Sequence, residues 1–389
     1  APVTLTGRNV GQSLESAING FSGNTTIAVV DPVSGAVQSQ VDVQFSGGTI
    51  TINGTATTPA GFLATLNTAL GGAATASFDQ GQLSLSSNSS AGIAIADDAA
   101  NPSNKAGRGF SHYFGLNDLV TSDRTTLYDI GLTSTSPHGF TPGETVTLRV
   151  SDGEGGRLRD VSIAVPAGAG TVGELLAAFN NPVSGVGRYG SFALDATTGS
   201  VAFVGNGSPA PQISAFDDRT TQVPSGVSVT DLLGIGSGVR ASRADAFSIR
   251  SDIQLDPSRL ALARLNLNAG AGQPALSAGD GRGGQALADA GTRQTHFGSG
   301  GGSAGGLQSV SRYAAELSGD IGSRAETAQR RADVAQAISI EATTRRSNKE
   351  GVNLDEELVA MTTFQQSFNA SARLIQSVRE MYDTLLGIV

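Results

Sequence analysis

The residue pattern best suited to chemistry in this 389-residue sequence is Gly168-Ala169-Gly170-Thr171-Val172-Gly173. It follows an alternating apolar run, Val161–Val165, precedes a helix-forming run, and has Asp195 further on. In that order of parts a dinucleotide rests its pyrophosphate on a helix N-terminus while an acid about 20 residues downstream holds the ribose. The helix opened here is only about two turns long by its apolar spacing. The matching stretch Asn53–Ala60 lacks the glycine spacing, and no series of strand–helix–strand units surrounds it. A glycine-rich loop ahead of a helix cap is the better reading. The three histidines, His112, His138 and His296, are not at helical spacing, so a zinc protease of the His-Glu-x-x-His type is excluded. His112, beside Tyr113 and Phe114, reads as a packing residue. Asp152-Gly153-Glu154 and Asp97-Asp98 lack the full ligand run of a calcium loop and read as solvated turns. Ser303 has the letters of a Gly-x-Ser-x-Gly elbow but lies in a glycine run with no strand before it. With no cysteine there is no thiol nucleophile, disulfide or thiolate ligand. No catalytic constellation, cofactor site or metal site emerges, and the chain is not expected to be an enzyme.

Composition narrows the class. Charged residues are 15% of the chain, against roughly 25% in ordinary globular domains, and glycine, alanine, serine and threonine are abundant. Such a neutral, hydroxyl-rich surface suits an extracellular structural protein. The formal net charge of −9 argues against nucleic-acid and anionic-membrane partners, which need basic footprints. No apolar run is long enough to span a bilayer, and the chain does not open on a charged-then-apolar leader.

The elements that would carry any function fall into three kinds. After a lead-in (1–23), residues 24–120 alternate in β fashion. Thr26–Val30, Val41–Phe45 and Thr49–Ile52 are strands, the last closed by the hairpin signal Asn53-Gly54, and Gly61–Leu70 is a short helix. The same order recurs over 121–240. Leu175–Asn180 parallels Phe62–Asn67, Ser191-Phe192 parallels Ser77-Phe78, and Leu233-Gly234-Ile235 parallels Phe114-Gly115-Leu116. Two tandem β-rich modules, each with one short helix, are expected. Residues 241–306 read as a connecting segment that ends in a flexible glycine run, Gly298–Gly306. Residues 307–389 read as long α-helices, in a hairpin or coiled coil. The fold class expected is α+β, multidomain.

The last helix organises the rest. Asn353 and Glu356 have capping-box spacing, and Asp355, Glu356 and Glu357 place negative charge at its positive end. Leu354, Leu358, Met361, Phe364, Phe368, Ala372, Ile375, Val378, Tyr382 and Leu385 then recur at steps of three or four. This single apolar stripe is on the order of 50 Å long and needs another helix to cover it. One candidate lies upstream, where Val310, Ala314, Leu317, Ile321, Ala325, Ala328, Ala332, Ala335 and Ile338 form an alanine-rich seam near heptad spacing.

Gly351-Val352-Asn353-Leu354-Asp355-Glu356-Glu357, Phe364–Arg373 and Glu380–Leu386 resemble the C-terminal signature of bacterial flagellar axial proteins. Within that group the Val-Asn-Leu-Asp-Glu-Glu start is most similar to the hook-associated family of the hook–filament junction. Ala244–Leu265 and Gly279-Asp280-Gly281-Arg282 also fit its usual lead-in. The resemblance implies a structural subunit that forms the junction through its C-terminal helices, as a ring-like homo-oligomer. It further implies contacts with the hook protein, other hook-associated proteins and an export chaperone, and an extracellular place reached through the flagellar channel. Family members pair this region with an N-terminal helical half, so the chain is expected to be an N-terminally truncated form. The alternative is a secreted surface or adhesion protein whose β modules bind a ligand, with the helices as a stalk. The absence of tryptophan weighs against sugar stacking there.

Overall fold

The computed structural model describes residues 2–116, 118–122, 127–153, 155–242, 247–277, 279–298, 303–351 and 353–387. Val352 of the helix lead-in, Glu154 of the acidic turn, Ala244, and positions 299–302 of the glycine run lie outside the described residues. The chain divides into two compact units, Ala1–Leu287 and Ala288–Val389. The architecture is α+β and multidomain, with β-rich modules followed by long helices.

The first module comprises β1 (Thr4–Asn9), α1 (Leu14–Ile18), β2 (Gly23–Val30), β3 (Val37–Ser46), β4 (Thr49–Ile52), β5 (Thr55–Thr57), α2 (Phe62–Leu70), β6 (Ala74–Asp79), β7 (Gln82–Ser87), β8 (Gly92–Asp97) and α3 (Phe110–Phe114). Its strands form antiparallel sheets ordered β5-β4-β3-β2-β8 and β1-β7-β6. Alternation along β3 buries Val41, Val43 and Phe45 and turns Asp42, Gln44 and Ser46 to solvent. Asn53 and Gly54 take positive φ, 46° and 81°, as a two-residue hairpin turn requires, and Ile52 pairs with Thr55 across them. Phe62, Leu66 and Leu70 of α2 and Phe110, Tyr113 and Phe114 of α3 fill the core between the inward residues of both sheets. The lead-in belongs to this body. β1 pairs with β7, and Val10, Ala17, Ile18 and Phe21 are buried in the same core. Its strand was illegible because its apolar residues are too few to show a period.

The second module is entered through β9 (Val120–Ser122). It continues as β10 (Thr145–Ser151), β11 (Arg157–Ala164), α4 (Val172–Phe179), β12 (Gly190–Leu194), β13 (Val201–Gly205), β14 (Gln212–Asp218), α5 (Val229–Leu233) and α6 (Ser237–Ser242). β15 (Phe247–Ile249) then pairs antiparallel with β9. The main sheet is ordered β11-β10-β14, β12 and β13 form a hairpin, and a second hydrophobic core forms around Leu148, Ile163, Leu175 and Phe179. Each module carries more than the one helix expected of it.

The two modules share the sheet order β3-β2-β8 and β11-β10-β14, the first adding β4 and β5 at the edge beyond β3. The Asn67 amide brackets Ala76, donating to its carbonyl at 2.9 Å and accepting its N–H at 2.6 Å. The Asn180 amide brackets Phe192 in the same way, at 2.9 and 2.7 Å. The Ser103 hydroxyl accepts the Phe110 N–H that opens α3, and the Thr220 hydroxyl accepts the Val229 N–H that opens α5. Gly115 and Gly234 end those helices at φ 70° and 62°, a left-handed cap that glycine reaches without a Cβ clash. These details support reading the second module as a repeat of the first. Asn180→Ala is expected to lower the stability of the second module by about 1–3 kcal/mol, since both backbone groups of Phe192 lose a partner. Unchanged denaturant unfolding would show that water replaces the amide.

Buried against α1 and α3 of the first module is one residue with no sequence signal, Lys105, which is 4% exposed. Its ammonium donates to the Ser16 and Ala17 carbonyls, both at 2.8 Å, and lies 5.1 Å from the Tyr113 ring centre. Burial pushes this amine down to about 7, whereas in the unfolded chain it titrates near 10.4. Between those values the unfolded chain binds more protons, so stability rises with pH, by at most about 1.4 kcal/mol per unit. Lys105→Met is expected to flatten that rise in melts recorded between pH 7 and 10, and a slope that persists would assign it elsewhere.

After β15 and α7 (Ser251–Leu255) the chain returns to the first module. Ala269 and Ala275 pack on Ala28, Val30 and Val37, and the Ala275 N–H donates to the Gly35 carbonyl at 2.8 Å. The Asp280 carboxylate collects the Arg264 N–H at 3.0 Å and the Arg282 guanidinium at 2.6 Å, closing the turn before α8 (Arg282–Ala290).

In the second unit, β16 (Thr295–Phe297) pairs with β17 (Gly306–Gln308), and α9 (Val310–Glu350) and α10 (Leu354–Leu386) follow. The glycine run expected to be a free connection is therefore bracketed by a hairpin. The Phe297 ring stacks 4.4 Å from Tyr313 of α9, and Ser303 and Gln308 are buried beside the start of that helix.

Candidate assembly surface

Among the described residues, the glycine-rich loop and the acidic and serine positions with the letters of a ligand or catalytic site are used locally. Thr171 caps α4 by accepting the Glu174 N–H at 3.3 Å. The Glu174 carboxylate folds back into the glycine-rich loop and accepts the Gly170 N–H at 2.9 Å. Hydrogen bonds from the Ala169, Thr171 and Gly170 backbone hold this carboxyl below its usual range, Ala169 contributing most. The amides that would cradle a phosphate thus hold the chain's own carboxylate. Asp195 closes the β12–β13 turn on the Thr197 and Thr198 N–H groups, both at 2.8 Å. Asp97 bonds the Ser103 hydroxyl and Asp98 the Ala100 and Asn101 N–H groups, while Asp152 accepts the Gly156 N–H at 2.6 Å. Ser303 reaches Glu316 at 3.3 Å. His112 is not the packing residue expected, because its side chain is 62% exposed and lies 3.4 Å from Asp118; its neighbours Tyr113 and Phe114 supply the burial instead. No group of three or more His, Cys, Asp or Glu placed to hold a metal ion occurs among the described residues.

The apolar stripe is a different matter. α10 runs for 33 residues without a break. Asn353 is its N-cap, accepting the Asp355 N–H at 3.2 Å, with Asp355, Glu356 and Glu357 in the first turn. Asn353 thus caps through the second helical residue, and among the described residues neither bond of a capping box, from the Glu356 N–H to the Asn353 side chain or from the Asn353 N–H back to Glu356, is made. Along the helix Leu354, Leu358, Met361, Phe364, Phe368, Ile375, Val378, Tyr382 and Leu385 are all exposed, Phe364 and Phe368 at 74% each, and Ala372 is exposed with them.

Within one chain the helices do not close into a hairpin. No residue of α9 or α10 is buried, and every position from 321 to 350 is exposed. The alanine-rich seam of α9 offers little apolar area per turn, so closure of the pair by itself would remove little surface from water. What α9 does hold is a series of ion pairs one turn apart, Arg312–Glu316, Asp320–Arg324, Glu326–Arg330, Glu341–Arg345 and Arg346–Glu350. Each supports an isolated helix by a few tenths of a kcal/mol.

The structure adds residues that the ten-residue stripe omitted. Val359, Leu374, Met381 and Leu386 are also large, apolar and exposed. Leu374, Val378, Met381 and Leu385 step by four, three and four, making a second row alongside Ile375, Tyr382 and Leu386. The apolar face therefore widens toward the C-terminal end, which a single-stripe reading conceals because Val378 and Leu385 serve both rows.

No helix among the described residues is long and apolar enough to cross a membrane, so these rows are not a membrane span of that kind. Comparison with curated proteins gives no match. Residues 346–388, which contain all of α10, match the family described as flagellar basal body rod FlgEFG protein, C-terminal. The match is to a structural rather than a catalytic family and covers this C-terminal segment alone; it supports a structural role in the flagellum for the chain.

Proposed function

We propose that the chain is a structural subunit of the bacterial flagellum and, within the axial proteins, the first hook-associated protein at the hook–filament junction. The observation that carries the reading is the uncovered apolar face of α10, lying inside the segment that matches the flagellar family. An exposed apolar face of this length is an aggregation hazard in a free subunit, and burial between copies in a polymer removes it. In this reading the ten stripe residues from Leu354 to Leu385 form the assembly interface, on a helix capped by Asn353 with Glu356 in its first turn, and the β modules project from it. The junction, rather than rod or hook, is favoured by the acidic start Asp355-Glu356-Glu357. Its partners are further copies in a ring, the hook protein and other hook-associated proteins. An export chaperone covers the face before assembly, and the place of action is extracellular.

The test is to locate the tagged chain on isolated flagella by immuno-electron microscopy. Label confined to the distal end of the hook supports the junction. Label along the rod or hook shaft keeps the axial role and overturns the junction, and no flagellar label overturns both.

A further inference from the structure

We propose that His138 is a pH-sensitive latch that ties the strap 133–140 to the second module and, through it, to the joint between the two modules. The imidazole is 3% exposed, with its ring centre 5.8 Å from that of Phe140. Its Nδ1 accepts the Phe140 N–H at 3.0 Å. Only an unprotonated nitrogen accepts, so the closed strap requires the neutral ring with its proton on Nε2. That Nε2 is buried without a hydrogen-bond partner. Protonating the ring would set Nδ1–H against the Phe140 N–H, two donors facing each other, and would bury a charge.

The strap is held on two sides. The His138 N–H donates to the Gly170 carbonyl at 2.8 Å and the Val172 N–H to Ser136 at 2.9 Å. On the other side Phe140 bridges to Gln222, and the Val223 N–H donates to the Gly139 carbonyl at 3.0 Å. Two residues beyond Val223, the Ser225 carbonyl receives the Asn9 side-chain amide of the first module at 2.8 Å. Opening the strap therefore removes the Gly139 and Phe140 contacts from the segment that carries this bond between modules.

The charged groups around the ring are few. Glu174 of α4 favours its protonation. The 168–173 loop, the 220–223 segment and the strap itself bring no other titratable side chain, and the Glu144 carboxylate is engaged by the Thr221 N–H at 3.0 Å. Burial outweighs Glu174 and holds the imidazole below its ordinary value. An unfolded or opened histidine titrates near 6.5, so the open strap binds more protons below that pH. The latch is fully closed above about 6.5 and weakens as pH falls, by up to about tenfold per unit.

The test is amide hydrogen exchange on the full chain at pH 7.5 and 5.5, read as protection factors for Phe140 and Val223, with Leu148 of the second core as internal control. The expected result is a loss of up to about tenfold at Phe140 and Val223 beyond any change at Leu148. In His138→Asn, whose side-chain oxygen accepts the same N–H at either pH, the loss is expected to vanish. Equal protection at both pH values, or the same loss in His138→Asn, overturns the proposal. Should that variant not fold, NMR titration of His138 in the native chain decides, and a midpoint at or above 6.5 overturns it.

Discussion

Phe368→Asp is expected to abolish incorporation of the subunit into the flagellum while leaving both β modules folded. Phe368 stands near the middle of α10, 74% exposed in the free chain, so a charge there costs the isolated subunit almost nothing. Surface substitutions away from packed features ordinarily stay within about 0.5 kcal/mol. In the assembled state the same position is proposed to be buried. The substitution then forfeits about 1.5–3 kcal/mol of apolar burial and must also desolvate a carboxylate. The loss repeats in every copy of the polymer. Leu358→Asp, closer to the acidic first turn, is expected to act the same way. The measurement is motility and flagellar incorporation of the variant, paired with a melt of the purified chain. Normal incorporation of either variant would remove α10 from the interface, and loss of module folding would show that the residue serves the subunit itself.

The second large effect is expected inside the subunit. Phe110 is fully buried, and its ring lies 5.0 Å from Phe114, 5.8 Å from Phe21 and 5.9 Å from Phe45. It joins α3 to the lead-in and to the five-stranded sheet. Phe110→Ala is expected to cost the first module about 3–5 kcal/mol, a large part of a typical domain stability of about 5–15 kcal/mol. The matching truncation Phe179→Ala strikes the second core instead, because Phe179 packs with Phe192 at 5.5 Å and has no share in the first cluster. Denaturant unfolding followed by residue-resolved exchange separates the two. A cost under about 1 kcal/mol for Phe110→Ala would mean that the first core collapses around the gap.

Sequence reading served best where the physics is local. The stripe on α10, its Asn353 cap, the Asn53-Gly54 turn and the alternation of β3 each follow from spacing or from one residue's preferred backbone, and each is visible in a short window. The shared sheet order β3-β2-β8 and β11-β10-β14 is in keeping with the parallel read between the modules, since a repeated order of strands and helices survives even when few residues match. What stayed hidden was set by distant partners. Residues 2–21 become part of the first core through distant partners, β1 through β7, more than seventy positions away, and Phe21 through Phe45, Phe110 and Tyr113. Lys105 gained its burial from α1 and α3, and nothing in its neighbours marks it. The Glu174 carboxylate was legible as half of a cap, but not as the group that fills the glycine-rich loop. For the candidate surface the stripe was visible and its second row was not, since Leu374 and Met381 fall between the steps of the first.

The pairing of β9 with β15 has a consequence for how such chains vary. The second module leaves the body and rejoins it through neighbouring strands, Val120 beside Ile249, so it is spliced in as a side loop rather than strung in line. Insertions whose two ends lie close together are the kind that folds tolerate. A lineage can enlarge, exchange or delete this module at the strand pair that closes its base, leaving the first module and the C-terminal helices with their own sequence and register.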